Sequence, residues 1–256
     1  MSIILSAISS GYQKRHVLSD FSASFEKGCI TAVIGPNGCG KSTLLKTVTG
    51  ILTPFSGNIT IDGQVLTSSS ARAKKLSFLS QGKIAPDMTV FETVLCGRFP
   101  HLSFPRIYSE KDKAFAVECM DKLGISELSA RRLSTLSGGM RQKAYIAMAL
   151  CQNTDYILLD EPTTYLDISN TFELFETLRS LADEGKGVVI VLHDLLTALT
   201  CSDRLLVMNN GKSVVLDTPN NIVASGIIEK VFGIGIRRTD IDGNNTYFYD
   251  RSTESI

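Results

Sequence analysis

Short apolar runs alternate with amphipathic stretches along most of this chain. The mostly apolar runs Cys29–Ile34, Tyr156–Asp160 and Val188–Leu192 end at a glycine or at polar residues, a pattern typical of buried strands. Apolar residues that recur at helical spacing predict a helix between the last two runs, through Phe172, Phe175, Leu178 and Leu181. Alternation of strand and helix predicts a parallel sheet covered by helices on both faces.

The first 90 or so residues are rich in predicted strands. Phe21–Phe25 alternates apolar and small polar residues, Asn58–Ile61 is followed by the turn pair Asp62-Gly63, and Leu76–Ser80 is a further run. Two more hairpin turns are predicted near the C-terminus, at Asn209-Asn210-Gly211 and at Asp242-Gly243-Asn244.

Between Val90 and Arg132 the pattern becomes helical. Val117, Met120 and Leu123 fit the 3.6-residue period, and Gly124 follows as a helix-terminating residue. We interpret residues 90–135 as an inserted helical subdomain.

Composition narrows the classes of function. The chain has 256 residues, which suits one large α/β domain with an insertion, and its 26 basic and 26 acidic residues give no net attraction to nucleic acid. It contains no apolar run long enough to span a bilayer and no visible signal peptide. Six cysteines without C-x-x-C pairs predict reduced thiols in a cytosolic protein, and Cys39 is a candidate for alkylation that blocks ligand binding.

Residues Gly35–Ser42 read Gly-Pro-Asn-Gly-Cys-Gly-Lys-Ser, a complete G-x-x-x-x-G-K-S phosphate-binding loop between a predicted strand and a predicted helix. Its glycines let backbone N–H groups converge on an anion, Lys41 reaches the β- and γ-phosphates, and the Ser42 hydroxyl ligates Mg²⁺. The alternative is a glycine-rich turn with a chance Lys-Ser pair. The flanking strand and helix favour a nucleoside triphosphate site.

The strand Tyr156–Asp160 ends in two carboxylates. Asp160 is expected at the carboxyl edge of the sheet, where ligands of open α/β sheets bind, and is a candidate for holding Mg²⁺. Glu161 points elsewhere and is a candidate general base for an attacking water. Alone, the pair is equally compatible with a strand that ends in a polar turn.

A second anion-receptive helix start is predicted at Leu136–Gln142, where Ser137 precedes Gly138 and Gly139. One nucleotide does not need two such loops from one subunit. The second loop therefore either serves the nucleotide of another subunit or is a plain serine N-cap.

In order and spacing, these motifs resemble the ATP-binding cassette of ABC transporters over residues 2–235. The resemblance implies an α/β fold of the P-loop NTPase type: a mostly parallel sheet, an N-terminal antiparallel β subdomain and the inserted helices, with residues 236–256 as a C-terminal hairpin or tail. It also implies ATP and Mg²⁺ as ligands, and ATP hydrolysis. Leu136–Gln142 resembles the family's signature segment, Leu-Ser-Gly-Gly-Gln, but this signature segment carries Met140 at the fifth position, where an amide side chain is usual.

The resemblance also implies roles for individual residues. Glu161, His193 and Gln81 are the catalytic candidates, and Ser42, Gln81 and Asp160 the Mg²⁺ candidates. His193 resembles the histidine that contacts the γ-phosphate, and Tyr12 resembles the aromatic residue that stacks on adenine; a structural histidine and an ordinary exposed tyrosine are the alternatives. The nucleotide-binding candidates are Tyr12, Gly35, Pro36, Asn37, Gly38, Cys39, Gly40, Lys41, Ser42, Thr43, Ser137, Gly138, Gly139 and Asp167.

Three segments, Val94–His101, Thr163–Ile168 and Leu192–Leu195, resemble the ATPases of bacterial importers of iron chelates (siderophores), haem and cobalamin. That resemblance implies an ATP-dependent homodimer at the cytoplasmic face of the membrane. It implies two permease subunits docking near Gln81–Phe104 and, indirectly, a periplasmic or surface substrate-binding protein. Pro100 and Pro105 shaping a surface loop is the simpler alternative for the first segment. A soluble ABC ATPase without a permease and an exporter ATPase are the rival functions.

Overall fold

The structure is a computed structural model that describes residues 1–81, 86–241 and 244–250. Its strands are β1 (Ser2–Tyr12), β2 (Arg15–Glu26), β3 (Ile30–Ile34), β4 (Ser56–Ile61), β5 (Leu76–Leu79), β6 (Tyr156–Asp160), β7 (Gly187–Val191), β8 (Arg204–Asn209), β9 (Lys212–Asp217), β10 (Gly235–Ile241) and β11 (Asn244–Asp250). Its α-helices are α1 (Lys41–Val48), α2 (Ser69–Ala73), α3 (Val90–Leu95), α4 (Glu110–Lys122), α5 (Gly138–Cys151), α6 (Ile168–Asp183), α7 (Leu195–Cys201), α8 (Pro219–Ala224) and α9 (Ile227–Phe232). Short 3₁₀ segments cover Cys96–His101, Ser126–Leu128 and Leu133–Thr135.

A six-stranded sheet of order β5-β6-β7-β3-β8-β9 forms the centre of the molecule. All its neighbouring strands are parallel except β8 and β9. A separate antiparallel sheet of order β2-β1-β4 lies against it. The predicted fold class, a mostly parallel sheet with an antiparallel β subdomain and helices, is confirmed.

Two hydrophobic clusters pack against opposite faces of the parallel sheet. Ala32 and Leu159 belong to the cluster on the side of the helices, whereas Val33 and Leu158 belong to the cluster formed with β1, β2 and α1. Successive strand residues point to opposite faces, and every residue of β3, β6 and β7 is buried. This explains why these strands read as continuous apolar runs.

The helices predicted through Val117 and through Phe172 form as α4 and α6. Val117 is 42% exposed, because the buried face of α4 runs through Ala116, Cys119 and Met120. Phe172 in α6 is 60% exposed, while Phe175 is buried. Spacing predicts the helix, but it does not say which of two adjacent stripes faces the neighbouring layer.

Helix α5, which begins at Gly138, follows the predicted helical insertion and packs on both α3 and α4. It also contacts β5. Helix α5 therefore connects the inserted helices to the central sheet.

The first of the two predicted C-terminal hairpin turns lies between β8 and β9. Asn210 (φ 47°) and Gly211 (φ 73°) form the β8–β9 turn, and a Cβ on Gly211 would lie 2.0 Å from the Val17 carbonyl oxygen. Strands β10 and β11 pair as a two-stranded sheet, and the predicted turn residues Asp242 and Gly243 lie outside the described residues. The boundary between a cassette over 2–235 and a tail over 236–256 stays a prediction. Among the described helices, none has the length and apolarity that crossing a membrane requires.

Candidate functional site

The phosphate-binding loop joins the end of β3 to the start of α1. Gly38 (φ 77°) and Gly40 (φ 107°) adopt left-handed conformations that favour glycine. A Cβ on Gly40 would lie 2.9 Å from Leu18 Cδ2, and one on Gly35 would lie 2.4 Å from the Met208 carbonyl oxygen. The glycines therefore let the loop turn tightly against β2 and β8, and a helix N-terminus opens directly beyond it.

Lys41 lies almost fully inside this loop, with 6% of its surface exposed. Its ammonium donates to the carbonyl oxygens of Gly35 (2.7 Å) and Pro36 (3.2 Å). These short contacts hold the charge at the mouth of the helix, where phosphate oxygens would be its strongest acceptors.

Asp160, the last residue of β6, is 2% exposed. Burial raises the pKa of its carboxyl group; the Ser42 hydroxyl, which donates to it, opposes that rise, and the nearby Glu161 carboxylate adds to it. Its Oδ1 atom is buried without a hydrogen-bond partner in the described structure. An uncompensated buried carboxylate oxygen beside a hydroxyl fits a hard divalent cation.

No group of three or more His, Cys, Asp or Glu side chains that could hold a metal ion occurs within residues 1–81, 86–241 and 244–250. A cation at Ser42 and Asp160 would therefore take most of its remaining ligands from phosphates and water, which is the usual coordination of Mg²⁺.

Glu161 contacts the two other predicted catalytic residues, Gln81 and His193. Its Oε2 accepts from Gln81 Nε2, and its Oε1 contacts His193 Nε2. The backbone of Glu161 is left-handed (φ 53°), a strained conformation for a residue with a side chain. The left-handed backbone turns Glu161 out of the line of strand β6, and its carboxylate lies between Gln81 and His193.

The signature segment is exposed and separated from the phosphate loop. The Ser137 hydroxyl caps α5 by accepting from the Met140 N–H (3.3 Å). A groove of about 520 Å³ is lined by Ser137, Met140, Tyr165 and Asp167, among other residues, and by none of the phosphate loop. Within one chain, the two predicted anion sites therefore do not converge.

Two contacts that the sequence did not reveal join the signature segment to the residues that follow Glu161. Gln142 Nε2 donates to the Pro162 carbonyl oxygen (2.9 Å). Tyr165 adopts a left-handed backbone (φ 75°), and a Cβ on Gly138 would lie 3.3 Å from Tyr165 Cβ. No sequence signal marks Tyr165, because only the folded chain imposes its conformation.

The remaining candidates lie around this centre. Tyr12 is 45% exposed at the tip of the β1–β2 hairpin, shortly before Leu18, which packs on Gly40. Asp167 caps α6 by accepting from the Asn170 N–H (2.8 Å). Cys39 is 6% exposed and burial raises the pKa of its thiol, so the candidate alkylation site is shielded from solvent in this structure.

Comparison with known proteins agrees with this geometry. The family model for the ABC transporter matches residues 18–164. The chain is 39% identical over 228 residues to the ferric enterobactin transport ATP-binding protein FepC of Escherichia coli (strain K12), covering 88% of this chain and 84% of that one. It is 38% identical over 229 residues to the iron(3+)-hydroxamate import ATP-binding protein FhuC of Bacillus subtilis (strain 168), covering 88% and 85%.

A solved dimeric ATP-binding cassette, in a post-hydrolysis state with ADP and Pi, superimposes with a TM-score of 0.76 at 26% identity, covering 85% of this chain and 98% of that chain. The chain therefore belongs to the ABC transporter family, as an ATP-binding subunit that hydrolyses ATP.

Proposed function

We propose that this chain energises the import of an iron chelate (siderophore), haem or a cobalamin-type compound through partner permease subunits. The observation that carries its catalytic part is the single carboxylate of Glu161, held by both Gln81 and His193 beside Asp160. The cargo class rests on the relatives, which are named for transport of ferric enterobactin and iron(3+)-hydroxamate.

The residues divide the reaction between them. Lys41 and the loop N–H groups bind the phosphates, and Tyr12 stacks on the adenine. Ser42, Asp160 and Gln81 would hold Mg²⁺, and the bound cation would neutralise phosphate charge. Glu161 accepts the proton of the attacking water, and His193 orients Glu161 and contacts the γ-phosphate.

A second copy of the chain completes each site. Ser137, Gly138 and Gly139 are exposed or half-buried and lie apart from the phosphate loop of their own chain, so we place them against the γ-phosphate bound by the partner copy. Met140, which is 42% exposed, supplies packing there instead of an amide donor.

Dimer formation tests this arrangement. Ser137→Arg places a bulky side chain at the phosphate position and should abolish ATP-driven dimerisation, whereas Met140→Gln should leave activity intact or raise it modestly. Light scattering on a Glu161→Gln background measures the dimer fraction. Dimerisation of Ser137→Arg with ATP would remove the signature segment from the site.

The permease docking surface is proposed along Gln81–Phe104, of which residues 82–85 lie outside the described structure. Arg98 is unsuitable as the contact in this region, because its side chain is only 16% exposed and pairs with Asp112 (2.9 Å). Phe104, which is 97% exposed, is the better candidate.

Charge placed on this surface should separate transport from hydrolysis. Phe104→Asp should reduce uptake in cells while the ATPase rate of the isolated subunit stays within about twofold. Val214→Asp, on a strand far along the chain and 40% exposed, is the matched control. Equal losses of uptake in both variants would place docking elsewhere.

Uptake of radiolabelled cargo tests the function as a whole. Cells that carry Glu161→Gln in place of the wild-type chain should lose accumulation of a ferric siderophore, haem or cobalamin, and the chain should sediment with the membrane at its cytoplasmic face. Lost ATPase activity with normal uptake of all three cargoes would favour a soluble ATPase or an exporter.

A further inference from the structure

Helix α7 follows directly after the catalytic candidate His193. The helix begins at Leu195, and its N-cap is Asp194, the residue next to His193. Asp194 Oδ2 accepts from the Thr197 N–H (3.0 Å) and from the Thr197 hydroxyl. The position of His193 relative to Glu161 therefore depends on where the first turn of α7 lies.

The two sides of α7 are packed unequally. On one side a groove of about 420 Å³ separates it from α6, lined on the α7 side by the N-cap Asp194 and by Leu196, Thr197, Thr200 and Cys201. Side chains of α7 that border this groove lack packing partners on that side, so the groove side restrains the helix little. Elsewhere α7 contacts β3, β11 and α8, so β11 and α8 are the neighbours outside the central sheet that restrain its position.

The hairpin of β10 and β11 reaches α7 through Tyr249. The Tyr249 hydroxyl lies 3.5 Å from Asp194 Oδ1, the carboxylate oxygen that does not cap the helix. Partial burial, and then the Asp194 charge, raise the pKa of Tyr249.

A second tyrosine on the same strand face anchors the hairpin elsewhere. Tyr247, two residues earlier, points to the same side of β11 and donates to Asn220 Oδ1 in α8 (2.7 Å). The Tyr247 hydroxyl therefore binds the hairpin to α8, and the Tyr249 hydroxyl contacts Asp194, the residue next to His193.

We propose that Tyr249 is a positioning residue for ATP hydrolysis: the C-terminal hairpin uses it to hold Asp194, and through Asp194 the first turn of α7 and His193. This rests on the proposed role of His193 at the γ-phosphate. The hairpin forms no strand pair with the central sheet, so its influence on the site passes through α7.

Steady-state ATP hydrolysis by the purified full chain, measured over a range of ATP concentrations, tests the proposal. Tyr249→Phe should lower kcat about two- to fivefold, the lower part of the range for one lost hydrogen bond because the contact is long (3.5 Å), with KM for ATP unchanged. Tyr247→Phe is the matched control, since it also removes one hydroxyl from the same strand face. It should lower the melting temperature at least as much and leave kcat unchanged.

A double-variant cycle tests the route through the histidine. In single-turnover hydrolysis on a His193→Ala background, Tyr249→Phe should have no further effect. The proposal is overturned if Tyr249→Phe leaves kcat unchanged, or if both tyrosine variants lower kcat equally, which would make the hairpin a source of stability alone. Wild-type kcat in His193→Ala itself would instead refute the role proposed for His193.

Discussion

An aspartate lies at each end of strand β6, and the two carboxylates differ in whether charged side chains pair with them. Asp155 precedes the strand and lies 3.1 Å from Lys27 and 2.9 Å from Lys75. Asp160 ends the strand with one buried oxygen that has no hydrogen-bond partner in the described structure.

The end of the sheet near Asp155 is an ion-paired polar cluster. Asp62 Oδ1 accepts from the Tyr156 hydroxyl (2.6 Å). Asp62 Oδ2 has no hydrogen-bond partner in the described structure, like Asp160 Oδ1, but the Lys27 ammonium lies 3.2 Å from it. The cluster joins the antiparallel subdomain, which supplies Lys27 and Asp62, to the parallel sheet.

The other end keeps its acidic groups in unfavourable surroundings. Burial raises the pKa of Asp160, and Glu161 has a strained backbone. The difference shows that charge pairing stabilises the fold where the two sheets meet, whereas incomplete pairing at the carboxyl edge leaves ligand positions for a cation and phosphates.

The largest expected effect is on catalysis at the carboxyl end. Glu161→Gln should lower the ATPase rate by about 10²–10⁴-fold, because the general base is lost, while ATP binding persists. A steady-state ATPase assay measures the rate, and calorimetric titration with ATP measures binding. Turnover within a few-fold of wild type would show that Glu161 is not the base.

At the paired end, loss of one hydroxyl should damage the fold and spare the chemistry. Tyr156→Phe leaves Asp62 Oδ1 without its donor and should cost about 1–3 kcal/mol of unfolding free energy. Denaturant unfolding measures this cost. A large fall in ATP affinity at full stability would contradict the division between the two ends.

Removing the charge of Asp160 should stabilise the fold, in contrast to the loss of stability expected for Tyr156→Phe. In nucleotide-free protein with chelator, Asp160→Asn should raise the melting temperature by about 2–4 °C, roughly 1 kcal/mol for a chain of this size, while Mg²⁺-dependent ATP hydrolysis is lost. A raised folded-state pKa means that the charged carboxylate opposes folding above that pKa. The gain should therefore shrink as the pH falls through the raised pKa. A destabilised variant at neutral pH would show that Asp160 contributes to the fold as Asp62 does.

The smallest effect is expected at the exposed side of the polar cluster. Lys75 and Asp155 have side chains 42% and 40% exposed, so Lys75→Ala should cost less than about 1 kcal/mol, and less in high salt. Lys74→Ala, one residue earlier, is the control. A cost of several kcal/mol would mean that the cluster depends on Lys75 more than on Lys27.

The sequence by itself determined the strands β3, β6 and β7, the phosphate loop and the identity of the acidic pair, because each depends on local composition or on a short contiguous motif. It also indicated the hairpin turn at Asn210 and Gly211, since those residue types tolerate left-handed backbone.

Tertiary structure alone decided which stripe of α4 and α6 is buried, why Arg98 is a structural residue and Cys39 is shielded, and how Gln81 and His193 meet on Glu161. Those features depend on contacts between segments far apart in sequence, such as Gln81 with Glu161 and Asp194 with Tyr249. No local pattern encodes them, because the burial and partners of a side chain follow from the packing of whole layers against one another.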